Sequence, residues 1–151
     1  MNILITFLAS FLIWIMFAGL FVLWVIDGKV KKEQALHGVL AFVLAWIVAD
    51  IIKHFFPTLR PFLTNGETAL TLFPQHNGAF PSGHTAAAFA LAITLWLHDR
   101  KVGWIYIILA ITIGIARVFA NVHYPVDILG GGIVGIVIAI AIEKIHLTVS
   151  S

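Results

Sequence analysis

The sequence predicts an all-α integral membrane helical bundle with about five transmembrane helices and one long extracytoplasmic loop. Three observations carry that prediction. Of the 151 residues, 61% are hydrophobic and 11% charged, where a soluble domain averages about 45–50% apolar and about 25% charged residues. Mean hydropathy is +1.04. The apolar residues are gathered into long runs broken by short polar connections. A chain with so few charges has no means of covering a water-facing surface, which excludes a soluble enzyme, a disordered tail and a nucleic-acid binder. A net charge of +2 is too small to attract a polyanion, and the absence of cysteine excludes disulfides and thiolate metal sites.

A helix crossing the ~30 Å hydrocarbon core needs about 20 apolar residues, and five segments are expected to do so within a single domain over 1–151. The first, about 3–26, carries no charge until Asp27. It has no basic segment before it and outruns the apolar core of a signal peptide, so a retained helix is expected. The second is expected over about 34–56 and the third, the shortest, over about 82–97. The fourth is expected over about 102–120 and the fifth over about 125–142. No internal repeat or low-complexity tract is visible. The one long connection runs from Pro57 to Pro81, rich in Pro, Thr, Asn and Gly, with Glu67 its only acidic residue.

Orientation follows the distribution of Lys and Arg. Five spans put Lys29, Lys31, Lys32, Arg100, Lys101 and Lys144 on one side, six of the nine basic residues, and only Lys53, Arg60 and Arg117 on the other. The richer side is expected to be cytoplasmic. The chain is then a multi-pass protein of the cell membrane, with its N-terminus and long loop outside.

The three outer cations need a reason, because ionisable residues at the membrane boundary are expensive. They fall at helix ends beside His84, His123 and Asp127. Three cations with a helix start at Pro81-Ser82-Gly83-His84 describe an anion site, since arginine forks and free backbone N–H groups both suit phosphate oxygens. The four-residue offset of His123 and Asp127 lets the carboxylate accept from one imidazole nitrogen and leave the other free to attack. His84 is then placed to protonate a leaving oxygen. The set reads as phosphoryl transfer through a phosphohistidine, with Lys53, Arg60 and Arg117 stabilising the transferred group. No clustered carboxylates are available there to hold Mg²⁺, so no metal and no cofactor are expected.

These residues carry a family resemblance. Lys53, six residues, Arg60-Pro61; Pro81-Ser82-Gly83-His84; and Arg117, five residues, His123, three residues, Asp127 together resemble the three-part signature of the type 2 phosphatidic acid phosphatase superfamily. The match spans 53–127, about half the chain. It implies His123 as nucleophile, Asp127 as its partner, His84 as acid, and Lys53, Arg60, Ser82, Gly83 and Arg117 as phosphate ligands. The family pattern usually has Ser where this chain has Ala116, which removes one possible phosphate hydrogen bond. Many membrane members have six spans, so relative to them this chain is expected to be one short at its N-terminus. The implied activity is hydrolysis of a lipid phosphate or diphosphate of the undecaprenyl diphosphate, phosphatidylglycerophosphate or phosphatidic acid type. The implied partners are that lipid and the bilayer, with no nucleic acid.

Other residues are read more plainly. Asp50 lies one turn before Lys53 and is expected to neutralise it. His54, His76 and Glu67 are expected to be solvated. Gly130, Gly131, Gly132 and Gly135 are expected to permit close helix packing, and Trp14, Trp24, Trp46, Trp96 and Trp104 to anchor helices at the interface. Two other functions share some of these features. A phosphotransferase would pass the phosphate to an acceptor lipid, and an anion transporter would show broken helices and repeats, neither of which is visible.

Overall fold

A computed structural model describes residues 2–25, 32–73 and 77–149, with side chains described as far as residue 145. Lys29, Lys31 and His76 lie outside the described residues, as does the end of the first expected span. The elements in order are α1 (Ile3–Val25), α2 (Lys32–Phe55), α3 (Pro61–Asn65), α4 (Gly83–His98), α5 (Arg100–Phe119) and α6 (Pro125–Val149), with no strand among the described residues. The five long helices alternate in direction. The N-terminus of α1, the C-terminus of α2, the N-terminus of α4, the C-terminus of α5 and the N-terminus of α6 therefore share one end of the bundle.

Four of the helices, α1, α2, α5 and α6, are long and apolar enough to cross a membrane. α4, expected as the third and shortest span over about 82–97, is shorter than these four. Its 16 residues rise about 24 Å at about 1.5 Å each, short of the ~30 Å core. The reason lies in its position. α4 is the central helix, packed against α1, α2, α5 and α6, so its neighbours rather than lipid set its length. Its sequence suits that place: Ala86, Ala87, Ala88, Ala90 and Ala92 are fully buried, and small side chains let helix axes approach. The bulky apolar residues point the other way. Phe21, Ile51, Ile108, Phe119, Leu129 and Ile133 are all more than half exposed on the outside of the bundle, the arrangement a hydrocarbon solvent favours.

Helix ends are set by local chemistry. The expected 98–101 loop is a single residue, Asp99, whose Oδ1 accepts from the amides of Lys101 at 2.8 Å and Val102 at 3.1 Å. That cap starts α5 two residues earlier than expected. Asn121 closes the other end of α5 in the left-handed region, φ 61°, which asparagine tolerates better than most residues. α6 packs on α4 through Gly131 and Gly135. A Cβ there would lie 2.5 Å from the Ser82 carbonyl oxygen and 2.3 Å from that of Ala86, respectively. Gly130 likewise leaves room for the Phe80 ring, whereas Gly132 has only ordinary contact distances.

Candidate active site

The shared helix ends enclose a cavity of about 570 Å³ lined by Trp14, Trp46, Lys53, Arg60, Phe73, Asn77, Gly83, His84, Arg117 and His123. Five of the polar candidates meet there although they come from α2, the long connection, α4, α5 and the α5–α6 turn. Ser82 and Asp127 are buried behind that wall rather than part of it.

Pro125 occupies the first position of α6, where a missing N–H costs nothing, and His123 lies in the turn just before it. Asp127 is in the first helical turn. Its Oδ2 accepts from the Tyr124 amide at 2.8 Å and lies 3.3 Å from His123 Nδ1. One carboxylate thus satisfies an orphan amide of the helix start, as the third residue of a capping box does, and holds the imidazole. With Nδ1 bearing the proton given to Asp127, Nε2 presents its lone pair to the cavity. Burial pushes the His123 imidazole well below its usual pKa, and the charges of Arg117, Arg60 and Lys53 act in the same direction. The ring is therefore neutral at pH 7.

Arg60 is held as firmly as any core residue. Its Nε donates to the Asn77 carbonyl at 2.9 Å, Nη2 to Asn77 Oδ1 at 2.8 Å and to the Gly78 carbonyl at 3.2 Å, and Nη1 to the Val122 carbonyl at 2.9 Å. A guanidinium has five N–H groups. Four serve the loop and the α5–α6 turn, and the fifth, on Nη1, faces His123 Nε2 at 3.4 Å. Burial lowers the Arg60 pKa to about 10, with Asp127 opposing the shift, so the charge persists at neutral pH.

Lys53 and Arg117 are buried at the ends of α2 and α5. Arg117 Nη1 donates to the Ala9 carbonyl of α1 at 3.1 Å. Gly83 leaves space for Lys53: a Cβ at that position would stand 3.2 Å from Lys53 Nζ. Ser82 caps α4, its Oγ accepting from the Thr85 amide at 3.4 Å and from Thr85 Oγ1 at 3.0 Å. Only its own hydroxyl proton is uncommitted. His84 lies against the Trp46 indole, ring centroids 4.9 Å apart.

Several contributors were not visible in the sequence. Trp14 and Trp46 line the cavity instead of serving only as interface anchors. Trp46 lies two turns before Lys53 on the same face of α2, a spacing that would have pointed to it. Asn77 Nδ2 donates to Asp50 Oδ1 at 3.1 Å, so exposed Asp50 is tied into the Arg60 network as well as lying near Lys53. Asn65 and Asn121 exchange side-chain amide bonds of 2.9 and 3.2 Å, fastening α3 to the turn that bears His123. Phe73 and the Leu72 amide, bonded to Ser10 Oγ at 3.2 Å, bring the long connection across to α1. Ala116 sits in an apolar cluster with Ala9, Ala120 and Val122, and His54 and Glu67 are exposed away from the cavity. The polar lining is three cations, two imidazoles and an amide, a donor set for an anion and not for a hard divalent cation.

Comparison with known proteins points the same way. The family model of the PAP2 superfamily matches residues 34–150. The bacitracin transport permease protein BcrC of Bacillus licheniformis is 29% identical over 140 residues, which is 93% of this chain and 69% of that protein. The undecaprenyl-diphosphatase BcrC of Bacillus subtilis (strain 168) is 30% identical over 120 residues, 79% of this chain and 61% of its own length. The chain thus spans only about three fifths to two thirds of the length of these relatives. The crystal structure of Aquifex aeolicus LpxE superposes with a TM-score of 0.77 at 29% identity, covering 95% of this chain and 87% of that one.

Proposed function

The chain belongs to the PAP2 superfamily, and on that premise we propose that it is an integral-membrane phosphatase that hydrolyses a lipid phosphate or diphosphate through a phosphohistidine. The observation that carries the reading is the placement of His123. Its Nδ1 faces Asp127 Oδ2 at 3.3 Å, and its ring lines a cavity shared with Lys53, Arg60 and Arg117.

In the first step His123 Nε2 attacks phosphorus, and the P–O bond to the leaving group breaks. His84 enters as the imidazolium, which the negative charge of the bound phosphate stabilises, and gives its proton to the departing oxygen. Lys53, Arg117 and the remaining Nη1 proton of Arg60 balance the charge on the transferred group. Asp127 stabilises the imidazolium character that develops as the N–P bond forms. In the second step water attacks the phosphohistidine, His84 takes the proton it lost, and phosphate leaves with the N–P electrons returned to His123. No divalent cation enters, because the cations of the chain already stand where one would act. Gly83 contributes at the start of α4 by leaving Lys53 room, and Ser82, behind the wall, by capping that helix start with its Oγ.

The cavity carries Trp14, Trp46 and Phe73 on its wall beside its cations. It therefore suits a substrate whose tail remains in the bilayer while its headgroup reaches the cations. Polyprenyl diphosphate, phosphatidylglycerophosphate and phosphatidic acid all have that form. The named activity of the Bacillus subtilis relative favours undecaprenyl diphosphate. Lys32, Arg100, Lys101 and Lys144 at the other end of the bundle favour an extracytoplasmic site. A phosphotransferase shares the first step and differs in using an acceptor lipid in place of water.

The test is phosphate release by the purified chain in detergent with excess chelator, comparing wild type with His123→Ala on the three lipids. Release that resists chelator and is lost in the variant supports the proposal. Release stopped by chelator refutes the metal-free step, and release that survives His123→Ala refutes the nucleophile. Acceptor-dependent transfer without free phosphate selects the phosphotransferase.

A further inference from the structure

At the end of the bundle opposite the phosphate cavity, three helices bring together His37 from α2, His98 from α4 and Glu143 from α6. Their side chains are 14%, 17% and 23% exposed. Glu143 Oε2 lies 3.6 Å from His37 Nδ1 and 3.5 Å from His98 Nε2, and one ligand atom from each residue falls within 4.8 Å of the other two. We propose that these three residues form a binding site for a zinc-like divalent ion that ties α2, α4 and α6 together.

The distances discriminate between two uses of such a cluster. A charge-assisted hydrogen bond from a histidine to a carboxylate closes to about 2.7–2.9 Å, and both contacts are well beyond that. Ligands bound to one tetrahedral zinc at about 2.0–2.2 Å stand about 3.3–3.5 Å apart, close to the two histidine–carboxylate separations, with no pair of ligand atoms farther apart than 4.8 Å. Glu143 Oε2 is buried with no hydrogen-bond partner. His98 is already oriented from behind, with its Nδ1 2.8 Å from the Thr94 carbonyl oxygen. The proton on Nδ1 goes to that carbonyl, which fixes the tautomer with the Nε2 lone pair toward Glu143, as the outer partners of metal-bound imidazoles do. The two rings lie 58° apart in plane with centroids at 6.0 Å, so their edges converge instead of stacking.

Two imidazole nitrogens and one carboxylate oxygen suit zinc and its neighbours, while magnesium and calcium prefer oxygen throughout. Three protein ligands leave a fourth position for water. His37 lies in the second turn of the helix that carries Lys53 near its end, His98 ends the helix that begins at Gly83, and Glu143 is near the far end of the helix that carries Asp127. An ion here fixes the spacing of the three helices that deliver catalytic candidates at their other ends. It takes no part in phosphoryl transfer.

The test uses the full chain in detergent, stripped with chelator and titrated with zinc chloride against a competing zinc indicator, with thermal unfolding in parallel. Wild type is expected to take up one zinc tightly. At zinc one hundredfold above its dissociation constant, the unfolding midpoint should rise by about 5 °C or more. Loss of a direct ligand in Glu143→Gln or His98→Ala should weaken binding by at least about 100-fold and abolish the rise. Glu143→Gln keeps the side chain's shape and should unfold normally without zinc, with chelator-resistant phosphate release unchanged. His123→Ala should bind zinc like wild type. The proposal is overturned if wild type binds no stoichiometric zinc, if zinc binds Glu143→Gln and His98→Ala as tightly as wild type, or if binding is lost in His123→Ala instead.

Discussion

Arg60 Nη1 stands 3.4 Å from His123 Nε2, so the nitrogen proposed to attack phosphorus already faces the one guanidinium proton that Asn77, Gly78 and Val122 do not consume. An incoming phosphate oxygen would replace that nitrogen as the acceptor. Lysine in place of Arg60 keeps a charge and loses the fork. Val122 and Gly78 would then lack their donors, at about 1–3 kcal/mol for each buried acceptor left unpaired. Arg60→Lys is therefore expected to lower the unfolding midpoint by about 5–10 °C as well as phosphate release. Full activity with unchanged stability would show that the network around Arg60 is dispensable.

Asp127→Asn separates two duties of one side chain. One oxygen, Oδ2, meets both the Tyr124 amide and His123 Nδ1, so an amide oxygen in its place keeps both contacts, α6 should start normally and the protein should fold. What is lost is the negative charge that stabilises the imidazolium character developing on His123 as the N–P bond forms. Turnover should fall by about 10⁴-fold, as when an orienting carboxylate is replaced in a catalytic triad. A rate within tenfold of wild type would contradict this role for Asp127, the threshold being about 1.4 kcal/mol of barrier.

The pH dependence carries its own sign. His123 is held well below its usual pKa by burial and neighbouring cations, and its neutral form is the one proposed to react. The acid limb of kcat/KM, which reports the free enzyme, should therefore lie below pH 6.5. The same shift acts on stability. Below pH 6.5 the unfolded chain binds a proton that the folded state resists, so His123 makes the fold less stable as pH falls. An acid limb at or above pH 6.5 for an assigned His123 titration would contradict the electrostatics of the cavity.

Trp46 acts through His84. The indole lies 4.9 Å from the imidazole, centroid to centroid, and sets where the proton donor sits. His84→Ala should cost about 10²–10⁴-fold on lipid substrates. Trp46→Ala should cost part of that, and Trp46→Phe should recover most of it. The loss should shrink on an aryl phosphate whose leaving group needs no proton. Equal losses on lipid and aryl substrates would mean that Trp46 only binds the lipid.

What the sequence revealed, and what it hid, follows from physical chemistry. Lys53, Arg60, His84, Arg117 and His123 stood out because charge and imidazole are costly beside apolar spans, so their positions in the chain were already informative. The helices were legible for the same reason, within one to three residues at most ends. α4 was placed to within a residue, but its position at the centre of the bundle was hidden, because hydropathy registers apolar residues without telling lipid-facing Leu from core Ala. α1 gave no sign that its Ala9 carbonyl holds Arg117 or that Trp14 lines the cavity, since a backbone oxygen has no sequence signature. Asn77 and Asn121 act through an amide geometry and a left-handed turn that only the folded loop creates. His37, His98 and Glu143 are far apart in the chain and meet only when three helices pack.

Rapid quenching of turnover with lipid labelled in its terminal phosphate tests the phosphohistidine route most directly. The expected result is label on the protein that is stable to alkali, labile to acid, located on the peptide containing His123 and absent from His123→Ala. Turnover at full rate with no labelled protein at any quench time, or label that persists in His123→Ala, would contradict it.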